Sequence, residues 1–329
     1  MGRCWLIVMV AMFALSSCAS PGSAPAAGPS GLSPASGVAN FRDKLATADQ
    51  FALKMTGVVA PPKGQSYQGW LLGDDGTTLN VGAIAPGPDG SVTFEWNSPN
   101  SENLLNRFAH FQATLEPAAG SARPTGKVVF FGGLDGRALS NARQVFVRTP
   151  GRPVTPSADS GYGQTDQSMA TPLNTAFAPG LKAQANVALQ HVQNAVNADA
   201  IGSRAEMRVH LEHVINIYEG QTGPRFGDHD GNGKAEDPGD GYGVLNYSKA
   251  IADLYGDQTA VVSAAKEVQS QMTAIEDRCL VILDFKDDAS ATAQLKDLMG
   301  LAKSFTAGPV TRLYDAAQAT VSFQVGPAQ

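Results

Sequence analysis

The spacing of apolar residues changes character near the middle of the chain. From about 51 to 148 they fall in short runs, "MTGVVA", "YQGWLL", "LNVGAIA", "VTFEW", "FQATL", "KVVFF" and "QVFV". Turn-forming pairs punctuate these runs at Pro61-Pro62, Asp75-Gly76, Asp89-Gly90 and Gly132-Gly133. Runs of this length and spacing predict antiparallel strands that bury one face against a second layer, a β-sandwich over 46–150. From 148 to 172 no period survives, and 151–178 reads as an interdomain linker.

Beyond Pro179 the apolar residues recur at steps of three and four, as on an amphipathic helix. Leu181, Ala185, Leu189, Val192 and Val196 mark a first helix, and Met207, Leu211, Val214, Ile215 and Tyr218 a second. Ser203 and Glu206 have the spacing of a capping box at the start of that second helix. A third helix over 258–283 turns Val261, Ala265, Val268, Met272, Ile275, Cys279 and Ile282 inward. A fourth, capped by Asp288 or Ser290, carries Leu295, Leu298, Leu301 and Phe305, and shorter pieces fall at 248–255 and 309–320. The expected fold class is multidomain, all-β plus all-α: an antiparallel β-sandwich, then an antiparallel helical bundle over 179–329.

The first residues set the expected location. Arg3 precedes an apolar run over 5–15 that is too short to span a bilayer and has the size of a signal-peptide core. The run ends in Leu15-Ser16-Ser17-Cys18, which resembles the lipobox of bacterial lipoproteins. That resemblance implies a signal peptide over 1–17 and lipidation of Cys18. The body is then anchored to the plasma membrane and faces the extracytoplasmic side, periplasm or cell surface. Two or more acyl chains hold such a domain stably, where one is marginal. Residues 18–45, rich in Ala, Ser, Gly and Pro, read as a flexible tether. Once Cys4 leaves with the signal and Cys18 is acylated, Cys279 stands alone, so no internal disulfide is expected. A net charge of −6 without a basic cluster argues against a nucleic-acid partner.

Two candidate sites fall in the helical half. The segment 226–243, "FGDHDGNGKAEDPGDGYG", opens like the twelve-position calcium loop of a helix–loop–helix hand. Asp228, Asp230 and Asn232 take positions one, three and five, Gly233 supplies the turn at six, the Lys234 carbonyl seven and Glu236 nine. Position twelve, which needs a bidentate glutamate, is Gly239, with Asp240 one residue beyond. Hard oxygen ligands suit a structural calcium ion better than zinc or copper; the plainer account is a solvated acidic turn. Phe226, Tyr242 and Leu245 are expected to pack the loop ends down, and His229, at an even position, is read as a non-ligand.

The second candidate is a histidine set. His210 and His213 lie three residues apart, off the apolar stripe of their helix, and His191 flanks the stripe of the first helix. Antiparallel packing of the two helices brings His191 toward His210. The alternative reading is therefore a transition-metal or haem site in the bundle, and the plainer one a set of exposed or half-buried polar rings. His110 reads as packed or surface, and Cys279 as core. No Gly-x-Ser-x-Gly elbow, Ser-x-x-Lys, His-Glu-x-x-His or phosphate loop occurs, so a non-enzymatic role is expected.

One stretch of the β half carries a family resemblance. "ATLEPAAGSARPTGKVV", from 113 to 129, resembles a signature of the extracytoplasmic C-terminal domain of anti-sigma-K factors, in which Thr-Leu-Glu-Pro precedes a Gly/Ser turn, Pro-Thr-Gly and an apolar strand. Upstream, Tyr67-Gln68-Gly69-Trp70-Leu71, Asp75-Gly76, "NVGAI" and Asp89-Gly90 keep that family's order, so the resemblance covers roughly 49–147. It implies an extracytoplasmic sensing or protein-interaction module with a protein partner. The family's cytoplasmic part and spanning helix find no counterpart in these residues, so no direct sigma-factor binding is expected. Glu116 is expected to accept backbone hydrogen bonds from the turn at Gly120–Ser121.

Overall fold

The computed structural model describes residues 34–147, 176–286 and 288–329, and clusters 34–329 as one compact unit. The expected signal peptide, Cys18, the expected tether up to 33 and the expected linker from 151 to 175 lie outside the described residues. Among the described residues no helix is long and apolar enough to cross a membrane.

Eight strands form one antiparallel sheet: β1 (Ser36–Arg42), β2 (Gln50–Thr56), β3 (Gln65–Gly73), β4 (Thr78–Ile84), β5 (Val92–Asn97), β6 (Phe108–Pro117), β7 (Lys127–Gly133) and β8 (Ser322–Pro327). Their order is β4-β3-β6-β7-β8-β1-β2-β5. The sheet is continuous rather than split into two separate layers, and it curls so that its edge strands β4 and β5 touch. Strand twist accumulating over eight members is enough to bring the edges round. Phe51 stacks on Phe111 at 5.1 Å across the inside, with Phe41, Leu53, Leu71 and Leu105 also buried there.

Four segments differ from the periodicity reading. Of the run "MTGVVA" only Met55 and Thr56 are extended, closing β2, while Val58 is buried from the loop that follows. β1 lies inside the expected tether, where Ala39 and Phe41 alternate inward. β8 lies in the stretch assigned to the bundle and runs between β7 and β1, pairing Gly37 with Val325 and Asn40 with Ser322. The β and helical halves are therefore not consecutive in the fold; the helices are an excursion between two neighbouring strands. The run "QVFV", expected as a strand, closes α1 (Gly136–Phe146), where Ala142, Val145 and Phe146 share one buried face at helical spacing. Four residues alone do not separate the two periods.

The signature stretch owes its residues to one buried carboxylate. Glu116, fully buried at the end of β6, accepts Thr125 N and Gly126 N at 2.9 Å each, and the hydroxyls of Thr114, Ser121 and Thr125 at 2.7, 2.8 and 2.7 Å. Of the turn expected to bind it, only the Ser121 hydroxyl does so; the backbone amides come from Thr125-Gly126. Trp70 Nε1 donates to Thr114 Oγ1 at 2.8 Å and extends the network into the core. Gly126 has no substitute there, since a Cβ would meet the Leu115 carbonyl oxygen at 1.9 Å. Burial by itself raises a carboxyl, but the Gly126 and Thr125 amides and the Thr114 and Thr125 hydroxyls hold Glu116 at about 2.

The helices are α2 (Phe177–Ala200), α3 (Arg204–Glu219), α4 (Gly243–Leu254), α5 (Thr259–Asp284), α6 (Asp288–Phe305) and α7 (Thr311–Ala319). A π turn over Thr306–Val310 joins the last two, at Pro309, whose missing N–H interrupts the regular ladder. α2 packs against α3, α4 and α6, and α5 against α3, α4, α6 and α7. Ser203 makes no side-chain cap bond at the start of α3. Helices and sheet share one continuous core. Phe146 meets Tyr314 edge-on at 5.5 Å, Gln318 Nε2 donates to Asp43 at 2.7 Å, and Asn141 Nδ2 donates to the Leu254 carbonyl at 2.6 Å.

Candidate metal centre

The polar residues of α3 decide the site. Its apolar stripe, Met207, Leu211, Val214, Ile215 and Tyr218, is fully buried as expected, but the opposite face is buried too. Glu212, His213, Asn216 and Glu219 are all under 6 % exposed; the 226–243 segment lies over the first three, and Arg225 N donates to Glu219 just before it. Buried polar groups need partners, and this face supplies them to the loop's backbone. Glu212 accepts His229 N at 2.7 Å and Asp230 N at 3.0 Å on one oxygen, and Glu236 N at 2.9 Å on the other. Asn216 donates to the Gly227 and Glu236 carbonyls at 3.0 and 2.9 Å, and accepts Gly227 N at 3.0 Å. Burial lifts the Glu212 carboxyl above its ordinary value despite the three amides.

Within the loop the expected ligands organise one another. Asp228 accepts Gly231 N and Gly233 N at 2.7 and 2.8 Å, Asp230 accepts Asn232 N at 2.8 Å, and Asn232 Oδ1 accepts Lys234 N at 2.8 Å. Gly233 sits at φ +88°, a conformation that favours glycine. Oxygens of Asp228, Asp230 and Glu212 lie within 4.8 Å of one another. Asp240 does not join them. Its buried carboxylate accepts Tyr247 Oη at 2.5 Å and Tyr242 N at 2.9 Å, at the start of α4. The displaced position-twelve ligand expected at Asp240 is thus engaged elsewhere, and Glu212, from the preceding helix, stands with the loop's acids instead. Tyr242 stacks on Phe177 and Leu245 is buried, while Phe226 is half-buried. His229 turns its Nε2 to the Arg225 carbonyl at 2.7 Å.

The three histidines come together. His191 on α2 is 1 % exposed, His210 9 % and His213 5 %, so none is the half-solvated ring the amphipathic pattern suggests. His191 Nδ1 lies 3.1 Å from His210 Nδ1 and 3.3 Å from His213 Nδ1. A single proton on His191 satisfies one of those two contacts well, whereas a cation among the rings engages a nitrogen of each of the three. A tetrahedral zinc ion with Zn–N near 2.0–2.1 Å sets its ligand nitrogens roughly 3.3 Å apart. The outer nitrogens face carboxylates: His213 Nε2 is 3.8 Å from Glu236 Oε2, and His210 Nε2 is 4.0 Å from Glu206 Oε1. Burial, then the neighbouring rings, holds His191 far below the ordinary imidazole value and His213 down at about 3, so both rings are neutral at neutral pH.

Elsewhere, His110 Nε2 pairs with Asp135 at 2.8 Å and its ring stacks on Phe131. Cys279 is fully buried on α5, and burial raises its thiol well above the ordinary value.

Residues 22–128 match the family model described as "Anti-sigma-K factor rskA, C-terminal". The match supports the resemblance drawn from the Thr114-Leu115-Glu116-Pro117 stretch, but begins earlier, taking in β1, and stops at the start of β7. No curated protein and no solved structure matches the chain.

Proposed function

We propose that this chain is a non-enzymatic, membrane-tethered extracytoplasmic module that binds a transition-metal ion through His191, His210 and His213. Its sheet serves as a protein-interaction domain of the anti-sigma-K C-terminal type. The observation that carries the metal reading is the convergence of three buried imidazole Nδ1 atoms at 3.1 and 3.3 Å. Neutral nitrogen donors from two helices suit zinc or copper, and the missing thiolates argue for neither iron–sulfur nor Cys-type zinc chemistry. Rings this close hold one ion and leave no gap for a porphyrin plane between axial ligands, so the reading favours a single ion over haem. The family match supports a regulatory setting, and the lipobox-like Leu15-Ser16-Ser17-Cys18 supports the lipid anchor and the extracytoplasmic side.

The full chain is expected to bind one equivalent of zinc or cobalt(II), the latter giving the visible absorption of a tetrahedral ion. The H191A/H210A/H213A chain is expected to lose it. A wild-type chain that retains no metal against a weak chelator would remove this reading.

A second reading concerns calcium in the loop, favoured by the grouping of Asp228, Asp230 and Glu212 within 4.8 Å. Three oxygen side chains joined to the loop carbonyls give the hard donor set calcium takes. Calcium is then structural and ties α3 to α4, with Glu212 in place of Asp240 among the ligands. Chelation is expected to lower the midpoint of thermal unfolding, with calcium binding visible by calorimetry. An unchanged midpoint and no heat of binding would dismiss it.

A further inference from the structure

Glu236 belongs to both candidate sites by position, and its surroundings give it a specific task. It is 7 % exposed, and its Oε2 lies 3.8 Å from His213 Nε2 while accepting Asn232 Nδ2 at 3.2 Å. Its backbone is fixed at both ends: its amide donates to Glu212 and its carbonyl accepts from Asn216. Glu212 and Asn216 flank His213 on the same α3 surface. The side chain thus reaches from the covering loop onto the outer nitrogen of a ring whose inner nitrogen faces the histidine cluster. Ligating histidines commonly give their second N–H to a carboxylate, which fixes tautomer and ring orientation.

We infer that Glu236 is the positioning carboxylate of the histidine site, so that closure of the 226–243 loop over α3 is coupled to metal binding. This rests on the reading of the three histidines as metal ligands. An ion on Nδ1 draws electron density from the His213 ring and makes its Nε2–H a stronger donor. Glu236 is then pulled inward, and its Asn232, Glu212 and Asn216 contacts carry the pull into the loop. Coupling is reciprocal, so a loop held closed raises affinity for the ion. Glu206 provides the contrast: it is half-exposed, 4.0 Å from His210, and sits on the same helix as its ring, so it reports on no loop.

The test uses the full chain with zinc as the probe, reading affinity by chelator competition and loop closure by amide exchange at His229, Asp230 and Glu236. In the wild type, zinc is expected to slow exchange at these amides. Glu236→Gln is expected to weaken zinc binding about ten- to a hundredfold and abolish the zinc-dependent protection. Glu206→Gln is expected to stay within about twofold, as an exposed pair contributes little. Asn232→Ala, at an exposed position, serves if the glutamine variant folds poorly; it is expected to shift both readouts in the same direction by less. Wild-type affinity and protection in both the Glu236 and Asn232 variants would overturn the inference and leave the metal reading standing. A wild type that binds no zinc removes both.

Discussion

A chain ending at Thr320 is expected to lose its cooperative thermal transition and to leave solution as aggregate. The deleted segment contains β8, which is no peripheral strand: it separates β7 from β1 in the sheet order. Removing it leaves the backbone groups of two strands unpaired in the middle of the sheet, a ready template for pairing with other chains. It also strips Phe323 and Val325 from the core, 6 % and 1 % exposed. Circular dichroism during heating and size-exclusion chromatography check this directly. A truncated chain that runs as a monomer and melts within a few degrees of the intact one would show that the sheet closes without β8. The graded version is Phe323→Ala, expected to cost about 3–5 kcal/mol through lost contacts and the cavity left behind.

The second large effect lies at Glu116 and has a defined pH signature. Its carboxyl sits at about 2 in the folded chain against an ordinary value of 4.5, a depression produced by hydrogen bonds from Gly126, Thr114 and Thr125 working against burial. A depressed acid contributes its stabilisation in full above the unfolded value. The contribution then declines as pH falls from about 4.5 and is gone below about 2. The difference corresponds to roughly 3 kcal/mol near neutrality. Glu116→Gln is therefore expected to be destabilised by about that amount at pH 7, with the gap to wild type closing as pH approaches 2. Urea melts at several pH values measure it. A gap that stays constant down to pH 2 would mean the charge is not what the Thr125-Gly126 turn recognises.

Much of this architecture was legible in residue spacing, and the parts that were not share physical causes. β3 to β7 and all the long helices follow from apolar periods set by their own side chains. β1 and β8 did not, because each is short and pairs with segments far away in the chain, so no local turn announces them. β1 was also masked by the Ala, Ser and Gly around it. "QVFV" failed for the opposite reason: a four-residue apolar run fits either period, and only Ala142, one turn earlier, marks it as helical. The loop acids could be found because calcium-type spacing is written into consecutive residues. The polar face of α3 was misjudged because amphipathic logic sends polar side chains to water. Glu212, Asn216 and Glu219 recur at four- and three-residue steps just before a glycine-rich acidic segment, a polar stripe prepared for backbone amides rather than solvent. That stripe is the signal by which Glu212 could have been identified, and it also places His213 under cover. The grouping of His191 with His210 and His213 was anticipated from helix pairing and residue spacing, but the burial of all three rings was not.

The position of β1 has a mechanical consequence. It is hydrogen-bonded along one side to β2 from Ser36 to Arg42, and along the other to β8 from Gly37 to Asn40. A force transmitted through the residues preceding Ser36 runs along this strand rather than across it. Two ladders must therefore slide together under shear, instead of parting one bond at a time as in a peeled edge strand. If the chain is held at its beginning and a partner is held by its sheet, the strand that takes the load is the one gripped from both flanks.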